Sequence, residues 1–162
     1  MDLTEFKKEA LKKRPENEKF FRKLKARPPK RLDEVFHTTH DEVFDSVDCL
    51  GCANCCKTTS PVFYQRDIER AAKHIKLKPG EFIERFLRLD EDEDYVLNHA
   101  PCPFLGSDNY CSIYDSRPTA CREYPHTNRK KMVQILDLTM RNTSVCPAVL
   151  RITDRLKVLL KL

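Results

Sequence analysis

The sequence predicts a mostly helical α+β protein, a small single domain with a short hairpin and loops behind an N-terminal helical extension. The clearest helical pattern is "QRDIERAAKHI", which places Ile68, Ala71, Ala72 and Ile75 at the i, i+3, i+4, i+7 spacing of an amphipathic helix. Stretches with the composition of β-strands are few and short. A chain of 162 residues, 40% hydrophobic and 34% charged, can bury one such core.

The N-terminal third of the chain is predicted to be helical but interrupted. Pro15 and the "RPPK" segment at 27–30 should divide it into two short helices and a linker, because proline cannot donate a backbone hydrogen bond. A third helix is predicted from Leu32 to Val47, with Phe36 and Val43 on its apolar face. This helix leads directly into a cluster of cysteines.

Beyond that cluster, short elements are expected up to a final helix. Pro79 and Glu81 suit the first turn of a helix that follows "QRDIERAAKHI", and the acidic run at 90–94 suits a solvated loop. The other expected elements are a strand at 95–97, a hairpin in "CPFLGSDNYCSIY", a helical turn in "SRPTACREYP", a strand in "MVQILDL", and a helix from Pro147 that buries Val149, Ile152, Leu156 and Leu159.

The positive charge of the chain is concentrated at its N-terminus. Residues 1–31 contain twelve basic and five acidic side chains, a net charge of +7 in a protein whose total is +5. Helical spacing should neutralise part of this charge through pairs such as Glu9 with Lys12 or Lys13 and Glu18 with Arg22. We therefore expect no nucleic-acid binding, and a structural extension that buries Phe6, Phe20 and Phe21.

The distribution of apolar residues favours a cytoplasmic protein with no membrane contact. No apolar run approaches the length of a membrane span, and the first residues are too charged for a secretion signal. In a reducing compartment, clustered cysteines more often bind metal or act in catalysis than form disulfides.

The stretch "DCLGCANCCK" places four of the eight cysteines within eight residues. Cys49-x-x-Cys52 has the spacing of a metal-binding knuckle, and Cys52-x-x-Cys55 repeats it. This spacing begins a bacterial ferredoxin pattern, which then fails because its fourth cysteine position is Thr59. The side chains of Cys55 and the adjacent Cys56 would diverge by about 100° on a helix. The pair therefore indicates two neighbouring metal positions, or one ligand and one bystander.

All eight cysteines are candidate metal ligands. Their number fits two four-thiolate sites or one site with spare thiols, and thiolates suit zinc and iron–sulfur clusters alike. His99, His126 and the His37-x-x-His40 pair are further candidates. The candidate cysteine ligands are Cys49, Cys52, Cys55, Cys56, Cys102, Cys111, Cys121 and Cys146.

Three ordered motifs, "CLGCANCC", "CPFL" and "CSIYDSRPTACREYP", resemble the CxxCxxCC proteins, also called the YkgJ-type cysteine-cluster family. The resemblance covers roughly residues 48–147 and implies a zinc- or iron-chelating domain. Members are sometimes named iron–sulfur oxidoreductases, and a flagellin lysine methylase is similar over the same domain. The glycine that usually follows the second cysteine is Ala53 here, and Gly51 is expected to take over part of its role.

Together these observations predict a metal-binding protein that holds an iron–sulfur cluster or zinc. Its expected use is redox chemistry, metal handling or protein maturation; the alternative is a metal-dependent oxidoreductase or a relative of protein methylases. The three glycines of the chain cannot form a glycine-rich nucleotide loop. Residues expected to surround the cofactor and tune its charge are Arg117, Arg122 and Tyr124, although an ion pair with Asp115 or Glu123 is the alternative for both arginines.

This interpretation divides the chain at the start of the cysteine cluster. Residues 1–47 form a basic helical extension, and residues 48–162 form the cysteine-cluster domain with its C-terminal helix. The expected partner is a metal ion or cluster, and a protein partner is left open.

Overall fold

The computed structural model describes residues 2–161, and these are mostly helical. A two-stranded antiparallel sheet pairs β1 (Leu87–Leu89) with β2 (Tyr95–Leu97). The predicted mostly helical α+β class is confirmed. The α-helices are α1 (Leu3–Ala26), α2 (Leu32–Phe44), α3 (Cys49–Cys52), α4 (Asn54–Thr58), α5 (Gln65–His74), α6 (Pro79–Phe86), α7 (Thr119–Glu123), α8 (Leu136–Asn142) and α9 (Pro147–Leu160).

These residues pack as two compact units. The first unit contains the chain up to Cys49 and again from Pro125 onward, and the second contains Leu50–Tyr124. Packing therefore groups α8 and α9 with the N-terminal helices, whereas the division predicted between residues 47 and 48 follows the family resemblance.

Helix α1 runs through Pro15 without a break, so the predicted division into two short helices is wrong. Pro15 leaves the carbonyl of Leu11 without its helical donor, but Leu11 is 71% exposed and water can take the donor's place. The opposite face of α1 buries Phe20 and Phe21, and Asp2 caps the helix. Burial along one continuous face thus outweighs the single lost hydrogen bond.

The core of the first unit lies between α1, α2, α8 and α9. The rings of Phe20 and Phe21 meet edge to face with centroids 5.4 Å apart, and Phe6 packs separately with Ala10 and Leu150. The expected burial of the three N-terminal phenylalanines is confirmed. The main cluster contains Phe20, Phe21, Leu24, Leu32, Phe36, Val43, Met132, Leu136, Ala148, Ile152 and Leu156.

Ion pairs on α1 differ in part from the predicted ones. Glu9 pairs with Lys13 at 2.6 Å, which is one of the two predicted partners. Glu18 pairs with Arg14 at 2.9 Å instead of with Arg22. The predicted neutralisation of Arg22 by Glu18 is therefore wrong.

The segment "MVQILDL" forms a 3₁₀ turn at Met132–Ile135 followed by α8, so the strand predicted there is wrong. The carboxylate of Asp33 accepts the backbone N–H groups of Lys131 at 2.6 Å and Met132 at 2.8 Å, which holds the start of the turn. The segment then buries Leu136 in the helical core. Packing on a helical period overrides the strand propensity of its side chains.

Helix α9 buries Val149, Ile152 and Leu156 as predicted, but Leu159 is 59% exposed, so its predicted burial is wrong. A helix has 3.6 residues per turn, and the apolar stripe therefore continues to Leu160, which packs against the core.

The second unit has a smaller core that is rich in aromatic rings. Phe82 is fully buried, with ring centroids 5.2 Å from Phe86, 5.8 Å from Phe104 and 5.9 Å from Phe63. Phe104 belongs to the "CPFL" motif. The core therefore fixes the position of that motif.

Helices α5 and α6 and strand β2 lie where they were predicted, but β1 was not predicted. Helix α6 ends at Phe86, and the chain becomes extended from Leu87 onward. In the acidic loop that follows, the carboxylate of Asp90 accepts the N–H groups of Asp92 and Asp94, each at 3.0 Å. This turn returns the chain to pair β2 with β1.

Candidate metal centre

The cysteine cluster folds as two short helices, α3 and α4, with Ala53 between them. Ala53 has φ 46° and ψ 20°, a left-handed conformation that glycine adopts more readily. The expectation that Gly51 supplies this freedom is wrong, because Gly51 lies within α3 and no glycine among residues 2–161 has a positive φ. On α4, the sulfurs of Cys55 and Cys56 lie 4.0 Å apart.

The predicted hairpin carries Cys102 and Cys111 at its two ends. Its paired region is a single antiparallel bridge between Leu105 and Cys111. The N–H group of Cys102 donates to the carbonyl of Cys56 at 2.8 Å. This hydrogen bond fastens the hairpin to α4.

Backbone N–H groups oppose the effect of burial on the pKa of both hairpin cysteines. Hydrogen bonding from the N–H groups of Phe104 and Leu105 lowers the pKa of Cys102, and that from Ile113 lowers the pKa of Cys111, in each case by less than burial raises it. Such bonds stabilise the ionised form of an acid. These bonds partly offset burial, which nevertheless raises the pKa of both thiols. The thiolate is the form that binds metal.

Cys121 lies on α7, the predicted helical turn after Pro118, and a buried carboxylate anchors this helix. Asp67 of α5 is 1% exposed and accepts hydrogen bonds from the backbone N–H of Thr119 at 3.1 Å and from its hydroxyl at 3.0 Å. Arg70 donates to the same oxygen at 2.6 Å. The first turn of α7 is thereby tied to α5.

Four thiols are linked through their electrostatic effect on one another and are here called the thiol quartet: Cys56, Cys102, Cys111 and Cys121. Burial is the main cause that raises the pKa of Cys121 to about 12 and that of Cys102 to about 11, and it also raises the pKa of Cys111. Ionisation of Cys56 would also raise the pKa of each of the other three, because a negative charge disfavours a second one within its range. The hydrogen bond with Cys55 lowers the pKa of Cys56 itself to about 7.

Arg117 lies beside this quartet. Its positive charge opposes the larger effect of burial on the pKa of Cys111 and Cys121. The guanidinium lies 3.7 Å from the ring centroid of Tyr114 and donates to the carbonyl of the same residue at 2.9 Å. Stacking and hydrogen bonding thus hold the cation in place.

Arg122 supports the loop that carries Arg117. It donates to the carbonyl of Arg117 at 3.1 Å and to the carbonyl of Asp115 at 2.7 Å. Its contact with Asp115 is therefore through the backbone and not the carboxylate ion pair that was the alternative. Tyr124 ends α7, and a role for it or for Arg122 at a cofactor stays a prediction.

Of the other four cysteines, Cys55 contacts the quartet directly, since its sulfur lies 4.0 Å from that of Cys56. Cys146 precedes α9 and packs against the core of the first unit, Cys49 is exposed, and Cys52 and Cys55 are half-buried. Within residues 2–161, no three Cys, His, Asp or Glu side chains already stand at distances that would hold one metal ion. Ligation by any of the eight cysteines stays a prediction.

The predicted histidine candidates contact other groups. His37 donates to the carbonyl of Arg129 at 2.8 Å, and Nδ1 of His40 lies 2.7 Å from the hydroxyl of Thr127. Nδ1 of His99 donates to a backbone carbonyl. His37 and His40 thus hold the segment at 127–129.

Residues 48–147 match the family model CxxCxxCC, described as "Putative zinc- or iron-chelating domain". The match spans more than half of the chain. The chain belongs to the CxxCxxCC family. Its family resemblance, predicted from the three ordered motifs, is confirmed. No curated protein and no solved structure gave a significant match. None of the helices in residues 2–161 combines the length and the apolar character that crossing a bilayer requires.

The thiol quartet fits the metals in that family description. Thiolates are soft ligands that bind zinc and iron–sulfur clusters. Backbone N–H groups that lower the pKa of Cys102 and Cys111 would also stabilise sulfur ligands of such a centre. The donors present are therefore chemically suitable for zinc or iron.

Sequence reasoning missed the residues that brace the quartet. Asp67 is the third residue of α5, a position at which an acidic side chain typically caps the start of a helix. That pattern does not reveal its hydrogen bond to Thr119. His74 was also missed. It donates to the carbonyl of Ser112 at 3.2 Å and lies 3.1 Å from the hydroxyl of Ser116, so it links α5 to the end of the hairpin.

Proposed function

We propose that this protein carries electrons through an iron–sulfur cluster bound by the thiol quartet. The observation that supports this most directly is the backbone hydrogen bond of 2.8 Å by which Cys102, at the end of the hairpin, is joined to Cys56 on α4, beside the influence that the four thiols exert on one another's ionisation. A cluster held in this way would store and release an electron.

The arrangement of the quartet favours an iron–sulfur cluster over structural zinc. Structural zinc sites commonly combine two closely spaced cysteine pairs, whereas the quartet takes one cysteine each from α4, α7 and the two ends of the hairpin. Hydrogen bonds to sulfur and nearby charge set the reduction potential of an iron–sulfur centre. Here the N–H groups and Arg117 would both stabilise its more negative, reduced state.

Loading of the quartet requires deprotonation. With pKa values of about 11 and about 12, Cys102 and Cys121 keep their protons at neutral pH and must lose them to bind metal. Cys56, with a pKa of about 7, ionises first. Metal binding should therefore release protons and strengthen as the pH rises.

The proposal is tested by metal analysis of protein purified without oxygen. Iron, acid-labile sulfide and zinc are measured together with visible absorption, for the wild type and for each quartet residue changed to serine. We expect iron and sulfide in the wild type and a loss of most of the iron in Cys56→Ser, Cys102→Ser, Cys111→Ser and Cys121→Ser, because a hydroxyl is a poor replacement for a thiolate.

Ser107→Ala provides the matched control, since Ser107 is an exposed residue of the same hairpin. It should keep the iron content of the wild type. Zinc without iron or sulfide in all preparations would reject the electron-carrying function and leave a zinc centre. Full iron content in the quartet variants would reject the assignment of the ligands. The same measurement on Cys49→Ser, Cys52→Ser, Cys55→Ser and Cys146→Ser decides whether further cysteines ligate.

A further inference from the structure

A ridge of basic side chains follows the exposed face of α1. Each residue of an α-helix is rotated by about 100° from the one before it. Between residues 8 and 23, positions 8, 12, 15, 19, 22 and 23 therefore lie on one side of α1, within about a quarter of its circumference. Position 15 is Pro15, and the other five positions are basic and exposed. These five residues, here called the α1 ridge, are Lys8, Lys12, Lys19, Arg22 and Lys23.

The acids of α1 do not neutralise this ridge. Glu9 and Glu18 pair with bases outside it, and Glu16 pairs with Lys157 of α9 at 2.9 Å. No ridge residue belongs to an ion pair within the part of the chain that the structure describes. Nucleic-acid binding was not expected because the N-terminal charges should pair with one another. That reason does not hold for this face of α1.

The net charge of the whole first unit also favours binding of a polyanion. Its chain segments, up to residue 49 and from residue 125, contain 20 basic and 13 acidic side chains, whereas residues 50–124 contain 10 basic and 12 acidic ones. A net positive unit attracts polyanions over distances of about 10 Å at moderate salt.

We propose that the α1 ridge binds the phosphodiester backbone of a nucleic acid. With a rise of about 1.5 Å per residue, the ridge is about 22 Å long. This length matches about six base-pair steps of a duplex, whose strands carry a phosphate every ~3.4 Å of axis. Each ridge cation can thus meet a phosphate and release the counterion bound to it.

The composition of the ridge favours phosphates over other anionic partners. A protein partner would be expected to meet an apolar or aromatic interface centre, and a membrane surface would be expected to take up inserted apolar side chains. The apolar residues at the ridge are Pro15 within it and Leu11 at its border. Phe6, Phe20 and Phe21 are buried and cannot stack on bases. The contact is therefore to the backbone and independent of sequence.

The test is fluorescence anisotropy of labelled 20-base-pair duplexes of RNA and of DNA, titrated with the intact protein as purified between 50 and 200 mM salt. Five phosphate contacts give a log–log salt slope of about −4 to −5. The ridge variant Lys12→Gln, Lys19→Gln, Lys23→Gln should lower the magnitude of that slope by about 2 to 3 and weaken binding at 50 mM salt at least tenfold. Glutamine is a good helix former, and circular dichroism checks that helix content is retained.

The matched control is Arg66→Gln, Lys73→Gln, Arg88→Gln, which removes the same charge from exposed positions of the second unit. It should bind within twofold of the wild type. Equal binding of the two duplexes supports contact with the backbone alone, and a preference for RNA supports the backbone with added contact to its 2′-hydroxyls. No wild-type binding at 50 mM salt, or equal losses in the ridge and control variants, would overturn the proposal. Tighter ridge-dependent binding to poly-glutamate or to anionic vesicles would overturn it in favour of a protein or a membrane.

Discussion

The two units of this chain are stabilised in different ways. The first unit builds its core from helices of 24, 13 and 14 residues, whereas the longest helix of the second has 10 residues. The helices that carry the cysteines, α3, α4 and α7, have only four or five residues each. Isolated helices of this length are unstable in water. The elements around the thiol quartet must therefore be held by their links to one another.

This comparison indicates where a metal would matter most. In the first unit, burial of side chains such as Phe36 and Ile152 supplies the stabilising free energy directly. In the second unit, the aromatic core holds α5, α6 and the hairpin, whereas the hydrogen bonds that fasten α4 and α7 include one from Cys102 and two to Asp67. A metal bound to the quartet would join these elements through covalent-strength contacts.

Removal of the metal should have the largest effect, and an effect that is confined mainly to one unit. We expect amide hydrogen exchange in residues 50–124 to accelerate by at least a hundredfold in chelated protein, because metal binding contributes folding free energy directly. Exchange in α1, α2 and α9 should change much less. The measurement is exchange with mass spectrometry on holo-protein and metal-free protein; equal acceleration in both units would contradict the difference between them.

Much of the fold could be predicted because its long helices carry clear periodic patterns. The apolar positions of α5 and α9 are spaced at 3.6 residues, and proline marks the first turn of α6 and α9. The errors occurred where packing over distance decides. Pro15 is tolerated because Phe20 and Phe21 anchor its helix on the other face, and "MVQILDL" becomes helical because Asp33, about a hundred residues away in sequence, holds its start.

The candidate site was predicted as a set of residue types but not as an arrangement. Spacing identifies the cysteines, yet it cannot show that Cys56 and Cys102 are joined by a backbone hydrogen bond. Spacing also emphasises Cys49-x-x-Cys52, whereas the thiols that influence one another's ionisation are separated by up to 65 positions, from 56 to 121. Bracing by Asp67 depends on tertiary contact and leaves no sequence pattern of its own.

Loss of the buried carboxylate should weaken the second unit by an intermediate amount. Asp67→Asn removes the charge that faces Arg70 and weakens the anchor of α7, and we expect it to cost about 2–4 kcal/mol in the free energy of unfolding. The measurement is urea denaturation at pH 7. Glu69→Gln, an exposed change on the same helix, should cost under about 0.5 kcal/mol.

The same variant gives a prediction for pH dependence. Burial alone would raise the pKa of Asp67, but hydrogen bonds from Arg70, Thr119 and Tyr64 outweigh it and hold the pKa below its ordinary value. The carboxylate therefore contributes stability above the ordinary pKa of aspartate, and this contribution is lost as the pH falls through the lower folded value. The difference between wild type and Asp67→Asn should shrink below about pH 4; a difference that is constant down to pH 2 would show that the charge is not its cause.

The smallest predicted effect concerns Ala53, where the short helices α3 and α4 meet in a left-handed turn. Glycine avoids the steric cost of ~1 kcal/mol that alanine carries there, but it loses a buried methyl group and gains entropy in the unfolded chain. Ala53→Gly should therefore leave the free energy of unfolding within about 0.5 kcal/mol of the wild type. Ala53→Val should lower it by at least about 1 kcal/mol, because a β-branched side chain is poorly tolerated at positive φ.

Ala71→Gly is the control: Ala71 is fully buried in the right-handed helix α5, where the change should cost about 1 kcal/mol. If Ala53→Gly costs as much as Ala71→Gly, the turn carries no strain, and the second unit does not depend on the special backbone of its cysteine segment.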